Sequence, residues 1–138
     1  MKNQENGKET YSLKMNADQT LHRIQDEFNH FFPFLKLEFI QEEREKGSGY
    51  KNLIITNDEN ISRIQKKINS MEMFFNKFTT VKELENIFSR DFGINVKVFR
   101  KSGNIWLVTD STDNWSLEQQ NEEGRSLAAH LKIDPPKN

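Results

Sequence analysis

The 138-residue chain contains no cysteine, so disulfide bonds, thiolate zinc sites and cysteine nucleophiles are excluded. No segment approaches the roughly 20 consecutive apolar residues that a membrane helix requires. Residues 1–10 are polar and lack the apolar core of a secretory signal, which predicts a cytoplasmic protein without a membrane partner. The six glycines are scattered and form no glycine-rich phosphate-binding loop.

The chain also has almost no net charge, since 20 basic and 21 acidic residues leave a formal charge of -1. This balance excludes a bulk attraction to nucleic acid or acidic lipid but leaves room for a local basic patch. Only 34% of the residues are hydrophobic, and 11 of these are phenylalanines. We therefore expect a core rich in aromatic rings.

The clearest pattern is the segment 80–109. Thr80 is suited to cap a helix, and Glu83 follows at the spacing of a capping box. Apolar residues then recur at helical spacing until Gly93, which can adopt the left-handed conformation that ends a helix. Beyond Gly93 the apolar period changes to two, and a turn at 102–104 divides two runs. The segment predicts a helix followed by a β-hairpin.

The same criteria predict the remaining elements. Helical spacing indicates helices at 21–32, at 58–68 after a cap at Asn57 or Asp58, and at 115–129, where Gly124 could break the helix. Alternation indicates strands at 11–15, 35–39, 50–56 and 70–77, with a continuing helix as the alternative for the last. A charged hairpin loop is predicted at 42–49, leading to the strand at 50–56. Residues 1–9 are predicted to be a disordered tail, and 132–138 form a second tail.

The two halves of the chain repeat each other. At one constant offset, Thr20, Leu21, Ile24, Phe28 and Phe32 recur as Thr80, Val81, Leu84, Phe88 and Phe92. The elements also follow in the same order, which strengthens a match that helical spacing alone would leave weak. We predict one compact α+β domain of two pseudo-repeated β-α-β-β-α units, 10–69 and 70–131, with helices packed on antiparallel hairpins. A cleft between the halves is the expected ligand position.

Two resemblances add to this interpretation. The segment 80–124 resembles a family of small uncharacterised bacterial proteins, for which no activity is implied. The residues that carry this resemblance are Val96-Lys97-Val98-Phe99-Arg100-Lys101-Ser102-Gly103-Asn104, Trp106, Thr109, Asp113, Trp115, Ser116, Leu117 and Gln120. The repeated strand-helix-strand-strand order is similar to the tandem modules of gyrase-inhibitor-like ligand-binding domains. This second resemblance is topological and implies a class of function without site residues.

The turn at 100–104, with tryptophans near it, is the best candidate site. A basic hairpin tip beside aromatic rings can hold a phosphate, stack on a base or grip a partner peptide. The candidate binding residues are Arg100, Lys101, Ser102, Asn104, Trp106 and Trp115. The alternative, which we favour for Trp106, is that its ring packs in the core. For Trp115, a cap on the core and an exposed position are both open.

Catalytic and metal sites are not predicted. His22 and His30 lie two helical turns apart, too far for one metal, and no acidic residue completes a ligand motif. Residues 110–114 are rich in oxygen ligands but lack the glycine and the distal glutamate of a calcium-binding loop. We expect no catalytic residue, metal or cofactor, and an enzyme using His22 or His130 is the least favoured hypothesis.

These observations favour a non-enzymatic module that binds a small ligand or a protein of unknown identity. An exposed sheet edge would also allow a homodimer. The alternative is a nucleic-acid-binding protein that uses the 100–104 turn together with Lys66 and Lys67.

Overall fold

The computed structural model describes residues 2–5, 8–45, 49–54, 59–67 and 70–136, with side chains for 9–41, 59–67 and 70–136. These ranges contain seven strands and three α-helices: β1 (Lys2–Glu5), β2 (Lys8–Asn16), α1 (Leu21–Phe31), β3 (Leu35–Glu45), β4 (Gly49–Ile54), β5 (Ser70–Phe75), α2 (Val81–Phe92), β6 (Asn95–Ser102), β7 (Ile105–Val108) and α3 (Leu117–Leu131). All strand pairs are antiparallel, in the orders β1-β2-β5 and β4-β3-β6-β7. The predicted α+β class is confirmed.

The predicted repeat is visible in the hydrogen bonds of the backbone. In one sheet Leu13 pairs with Met73, which stands at the same offset as the matching helix residues. In the other sheet Glu38 pairs with Lys97, at an offset one residue shorter. A residue that pairs with its own counterpart across antiparallel strands lies on a local two-fold axis. The halves are therefore related by pseudo-two-fold symmetry and joined by strand pairing in both sheets.

The helix starts follow the predicted capping chemistry. The side chain of Thr80 accepts the N–H of Glu83, and the Glu83 carboxylate accepts the N–H of Thr80 in return. Thr20 caps α1 by accepting the N–H of Arg23, without the reciprocal bond, and Gly93 ends α2 with a φ of +66°. The first residue of each of these helices also bonds to the end of its own half. The backbone N–H of Leu21 donates to the carbonyl of Glu59, and the N–H of Val81 donates to the carbonyl of Trp115.

The helix predicted at 58–68 is wrong for the described part of that segment. The regular structure within residues 59–67 is a 3₁₀ turn, Ile61–Arg63. At the corresponding place in the second half the chain forms the helix α3. Ile61 is completely buried, as Leu117 is at the start of α3, and the partly buried Ile64 also packs against the core. The side chain of Asn60 makes no capping bond, whereas Ser116 forms a full capping box. The other proposed caps, Asn57 and Asp58, and Ile68 lie outside the described residues.

Two further predictions are corrected by strand pairing. The tail expected to be disordered at 1–9 contains β1, which pairs with β2 from Lys2 opposite Tyr11 to Glu5 opposite Lys8. The hairpin predicted around 42–49 is present, but its loop is shorter than expected, because β3 continues to Glu45 and β4 begins at Gly49. Polar and charged residues are accepted in both places because the backbone supplies the hydrogen bonds of the ladder. Residues 46–48 and the predicted strand end at 55–56 lie outside the described residues.

The second half agrees closely with its prediction. Residues 70–75 form a strand, so the helical alternative is wrong, and α3 runs through Gly124 without a break. A Cβ at Gly124 would lie 2.8 Å from the Cβ of Phe34 and 3.0 Å from the carbonyl oxygen of Lys101. The glycine therefore allows α3 to pack closely against the sheet and does not interrupt the helix.

Both halves contribute to one hydrophobic core. Its central side chains come from β2, β3, β5, β6 and the inner faces of α1 and α2, and the largest of those fully buried are Phe28, Phe39 and Phe88. Tyr11 stacks on Phe31 with ring centroids 4.7 Å apart. Within the described part of the chain, none of the helices combines the length and the apolar character needed to cross a bilayer.

Candidate functional site

The β6-β7 hairpin separates the predicted site residues onto two faces of the sheet. Successive side chains of a strand point in opposite directions, so Arg100 and Lys101 diverge. The turn consists of Gly103, with a φ of +64°, and the exposed Asn104, flanked by the pair Ser102 and Ile105. A ligand at this tip would meet only part of the predicted set.

Arg100 belongs to the face that α3 covers. One guanidinium nitrogen, Nη1, donates to Oε1 of Gln120 at 2.6 Å, and the guanidinium carbon lies 5.6 Å from the centroid of the Trp115 ring. Gln120 is fully buried and its amide donates to the carbonyl of Thr112 at 2.8 Å. Trp115 is half-buried next to Arg100. This is intermediate between the two alternatives left open by the sequence, a cap on the core and an exposed position. Arg100 and Trp115 thus fasten the start of α3 to β6.

Lys101 and Trp106 pair across the hairpin on the opposite, outer face. The ammonium group of Lys101 lies 5.2 Å from the Trp106 ring centroid, and that of Lys36 lies 5.0 Å from the same centroid and 5.6 Å from that of Phe99. We call Lys36, Phe99, Lys101 and Trp106 the aromatic–lysine cluster. The favoured expectation that Trp106 packs in the core is wrong, because its position in the register directs it away from the helices.

The charges around this cluster are partly neutralised. Lys36 lies 3.3 Å from a carboxylate oxygen of Glu38, and Lys97 lies 3.1 Å from one of Asp110. Burial lowers the pKa of Lys97, but the hydrogen bond to Asp110 and the neighbouring negative charges outweigh it and raise the pKa overall. Lys97 therefore stays protonated and paired, and Lys101 supplies the positive charge that has no carboxylate partner among the described residues.

Strand β7 lies at the edge of its sheet and is apolar on both faces. Its order next to β6 leaves the other side of Ile105–Val108, which we call the β7 edge, without a partner among the described strands. Ile105 is 59% exposed, Leu107 39% and Val108 45%. Ile105 and Leu107 face the side of α3, whereas Trp106 and Val108 face the outer side.

The backbone of the β7 edge presents unpaired hydrogen-bonding groups. Lys101 donates its N–H to Phe34 on the β3 side, and the carbonyl of Val98 accepts the N–H that follows β7. Alternate residues of β6 therefore bond to opposite neighbours, as antiparallel ladders require. It follows that within β7 the N–H and C=O groups of Trp106 and Val108 point away from β6, toward the open side.

Sequence reasoning expected an exposed sheet edge but did not identify β7 as that edge, because the pattern of Ile105–Val108 resembles a core strand. A signal was present in the order of the elements. Among the described residues β7 is the last strand of the chain, and only a 3₁₀ turn and α3 follow it. No later described strand can therefore cover its open side.

The other candidates remain isolated. His22 Nε2 lies 3.1 Å from Asp26 Oδ2 on the exposed side of α1, and His30 lines a groove of about 290 Å³ with Lys14 and Glu27. The described residues contain no group of three or more histidines and carboxylates placed to hold a metal ion. Where a cleft between the halves was expected, β2 pairs with β5 and β3 with β6 over a shared core. The groove lies within the first half.

The resemblances of residues 80–124 and of the repeated topology stay predictions. Comparison with protein-family models, with curated proteins and with solved structures found no match for this chain.

Proposed function

We propose that this protein is a non-enzymatic interaction module that binds an extended protein segment along the β7 edge. The observation that carries the proposal is the combination of outward backbone groups at Trp106 and Val108 with exposed apolar side chains on both faces of the strand. Edge strands are usually protected by charged residues, proline or bulges. The sequence Ile-Trp-Leu-Val of β7 has none of these.

A protein segment fits this edge better than a small molecule does. Small-molecule sites are concave and enclose most of the ligand surface, whereas the β7 edge is open on both faces. An added strand would form backbone hydrogen bonds with Trp106 and Val108 and bury apolar side chains above and below the sheet.

The proposal is tested with peptides and a proline substitution. Peptides selected from a random display library on the wild-type protein are expected to bind the Val108→Pro variant at least tenfold more weakly, because proline removes an outward N–H without touching the bonds to β6. A matched control is Lys82→Ala on the exposed side of α2, which should bind the same peptides normally. Equal binding to all three proteins, or a selection without binders, would contradict the proposal.

A second candidate function is the binding of single-stranded nucleic acid at the aromatic–lysine cluster. It is favoured by one observation, namely two lysines placed around the Trp106 ring beside Phe99 on the sheet face opposite α3. Aromatic rings stack on bases while lysines hold phosphates, and such binding weakens with salt.

Tryptophan fluorescence during titration with an oligothymidylate tests this second function. Lys101→Ala should weaken binding several-fold at low salt. Arg100→Ala is the control, since its side chain is occupied by Gln120 and Trp115 on the other face and affects stability instead. Absence of binding at low salt would remove this candidate.

A further inference from the structure

We propose that the strand which occupies the β7 edge is β7 of a second copy of this chain. The two sheets of four strands would then join into one antiparallel sheet of eight strands about a two-fold axis. This inference rests on the proposed function of the β7 edge and names its partner.

The outward backbone groups select one register. Two-fold antiparallel pairing could place the axis at Trp106, Leu107 or Val108. An axis at Trp106 would pair Val108 with Asn104 in the hairpin turn, and an axis at Val108 would pair Trp106 with Asp110 in a 3₁₀ turn. Only the axis at Leu107 pairs Trp106 of each copy with Val108 of the other. That register joins every outward N–H and C=O of the two strands in four hydrogen bonds.

The side chains are compatible with the same register. Leu107 would meet Leu107 of the second copy at a pair without hydrogen bonds, where Cα atoms approach to about 4.5 Å. On the outer face Trp106 would lie against Val108 of the second copy, an aromatic–β-branched pair of a stabilising kind. The nearest charged residue in the sequence after β7, Asp110, would lie opposite the neutral amide of Asn104 in the second copy. The two paired β7 strands therefore place no charged residue opposite a like charge.

The length of the edge favours a second copy over a longer strand. The edge is four residues long, bounded by the turn at Gly103 and Asn104 and by the 3₁₀ turn that begins at Asp110. A longer extended segment would run past both ends into backbone that cannot pair with it. A second β7 has the same length and the same boundaries.

Single cysteines provide the direct test, because the chain has none of its own. In Leu107→Cys the two thiols would meet at the axis within the Cα separation of about 4.4–6.8 Å that a disulfide requires. The control is Ile105→Cys, because Ile105 lies on the same face as Leu107 and is more exposed. In the proposed register the cysteine introduced in one copy of this control would lie far from that of the other copy, along the direction of the paired strands. That separation is on the order of 13 Å, which a disulfide cannot span. We expect a glutathione redox buffer to convert most of Leu107→Cys to a covalent dimer at least tenfold faster than Ile105→Cys.

The wild-type protein should also sediment as a dimer that dissociates on dilution. Leu107→Lys places two ammonium groups against each other at the axis and should give a monomer with unchanged far-ultraviolet circular dichroism. Equal cross-linking of the two cysteine variants, or a wild-type monomer at high concentration, would overturn the second copy as partner. If peptide binding at the β7 edge then still depended on Val108, the interaction module would stand with a different partner. If peptide binding failed as well, both proposals would fall.

Discussion

Positions 25 and 85 occupy the same place in the two repeats but carry different groups. Gln25 donates its amide Nε2 to the carbonyl of Leu37 at 2.7 Å, and the Glu85 carboxylate accepts the N–H of Val98 at 3.3 Å. Leu37 and Val98 form a strand pair beside the pseudo-two-fold axis. Each side chain therefore satisfies a backbone group near the axis, one by donating and the other by accepting, which explains why a carboxylate serves only in the second half.

Glu85→Gln should stabilise the protein at neutral pH. Burial raises the pKa of Glu85 above its ordinary value of 4.5, although the hydrogen bond from Val98 and the charge of Lys97 act in the opposite direction. A carboxyl group whose pKa is higher in the folded state contributes stability below pH 4.5 and loses it as pH rises through the folded pKa. The glutamine carbonyl can still accept the N–H of Val98.

The gain in the free energy of unfolding is expected to be below about 1 kcal/mol, because the carboxylate is partly exposed and screened. Urea unfolding at several pH values between 4 and 8 measures it, and the gain should shrink toward pH 4. Glu123→Gln, an exposed change of the same charge on α3, is the control and should be neutral. A destabilised Glu85→Gln protein at pH 7 would show that the charge strengthens the bond to Val98 more than burial opposes it.

At the scale of elements, the position of α3 depends on the absence of a side chain at Gly124. Gly124→Ala would place a methyl group against the Cβ of Phe34 and the carbonyl oxygen of Lys101, neither of which can rotate away. Overpacking of this kind costs about 1–3 kcal/mol, whereas the higher helix propensity of alanine returns at most about 1 kcal/mol. We expect a net loss in the free energy of unfolding, measured by urea denaturation.

Ser126→Ala is the matched control, because Ser126 is exposed on the same helix. It should leave stability unchanged or raise it by a few tenths of a kcal/mol through helix propensity. A Gly124→Ala protein as stable as the control would mean that α3 can shift outward without loss, and that the close approach at Gly124 is not needed.

Element boundaries that are set by local chemistry were predictable from the sequence. Thr20, Thr80 and Gly93 act through bonds and dihedral angles within their own helix turn, so no knowledge of the fold is needed. Ile61 shows the limit, because a 3₁₀ turn and a helix begin with the same apolar spacing. Which of the two forms depends on capping and on tertiary packing.

The candidate site was predictable only in part, for a related reason. Alternation along the hairpin separates Arg100 from Lys101, but alternation alone does not say which face the helices cover. The pairing of Leu35 with Arg100 decides this, since Leu35 faces the core. Pairing between the halves joins residues that are far apart in the chain, and no local pattern encodes it. For the same reason the sequence placed Trp106 inside and did not show that β7 forms the exposed sheet edge.

At the scale of the whole molecule, one shared core predicts one cooperative unfolding transition. Leu13 and Met73 pair across the halves, and both are almost completely buried in the same cluster as the inner residues of α1 and α2. A half of about 60 residues alone would bury so little of its surface that it would be only marginally stable. The loss of packing in one half should therefore unfold both.

Ile24→Ala tests this cooperativity, because Ile24 is fully buried in the first half while both tryptophans lie in the second. The substitution should lower the free energy of unfolding by about 2–5 kcal/mol. The midpoints measured by tryptophan fluorescence and by far-ultraviolet circular dichroism should fall together, as two-state unfolding requires. Leu84→Ala, its counterpart in the second repeat, should lower both midpoints in the same way. If Ile24→Ala lowered the circular dichroism midpoint and left the fluorescence midpoint in place, each half would have its own core, and the strand pairs at Leu13 and Leu37 would not couple them.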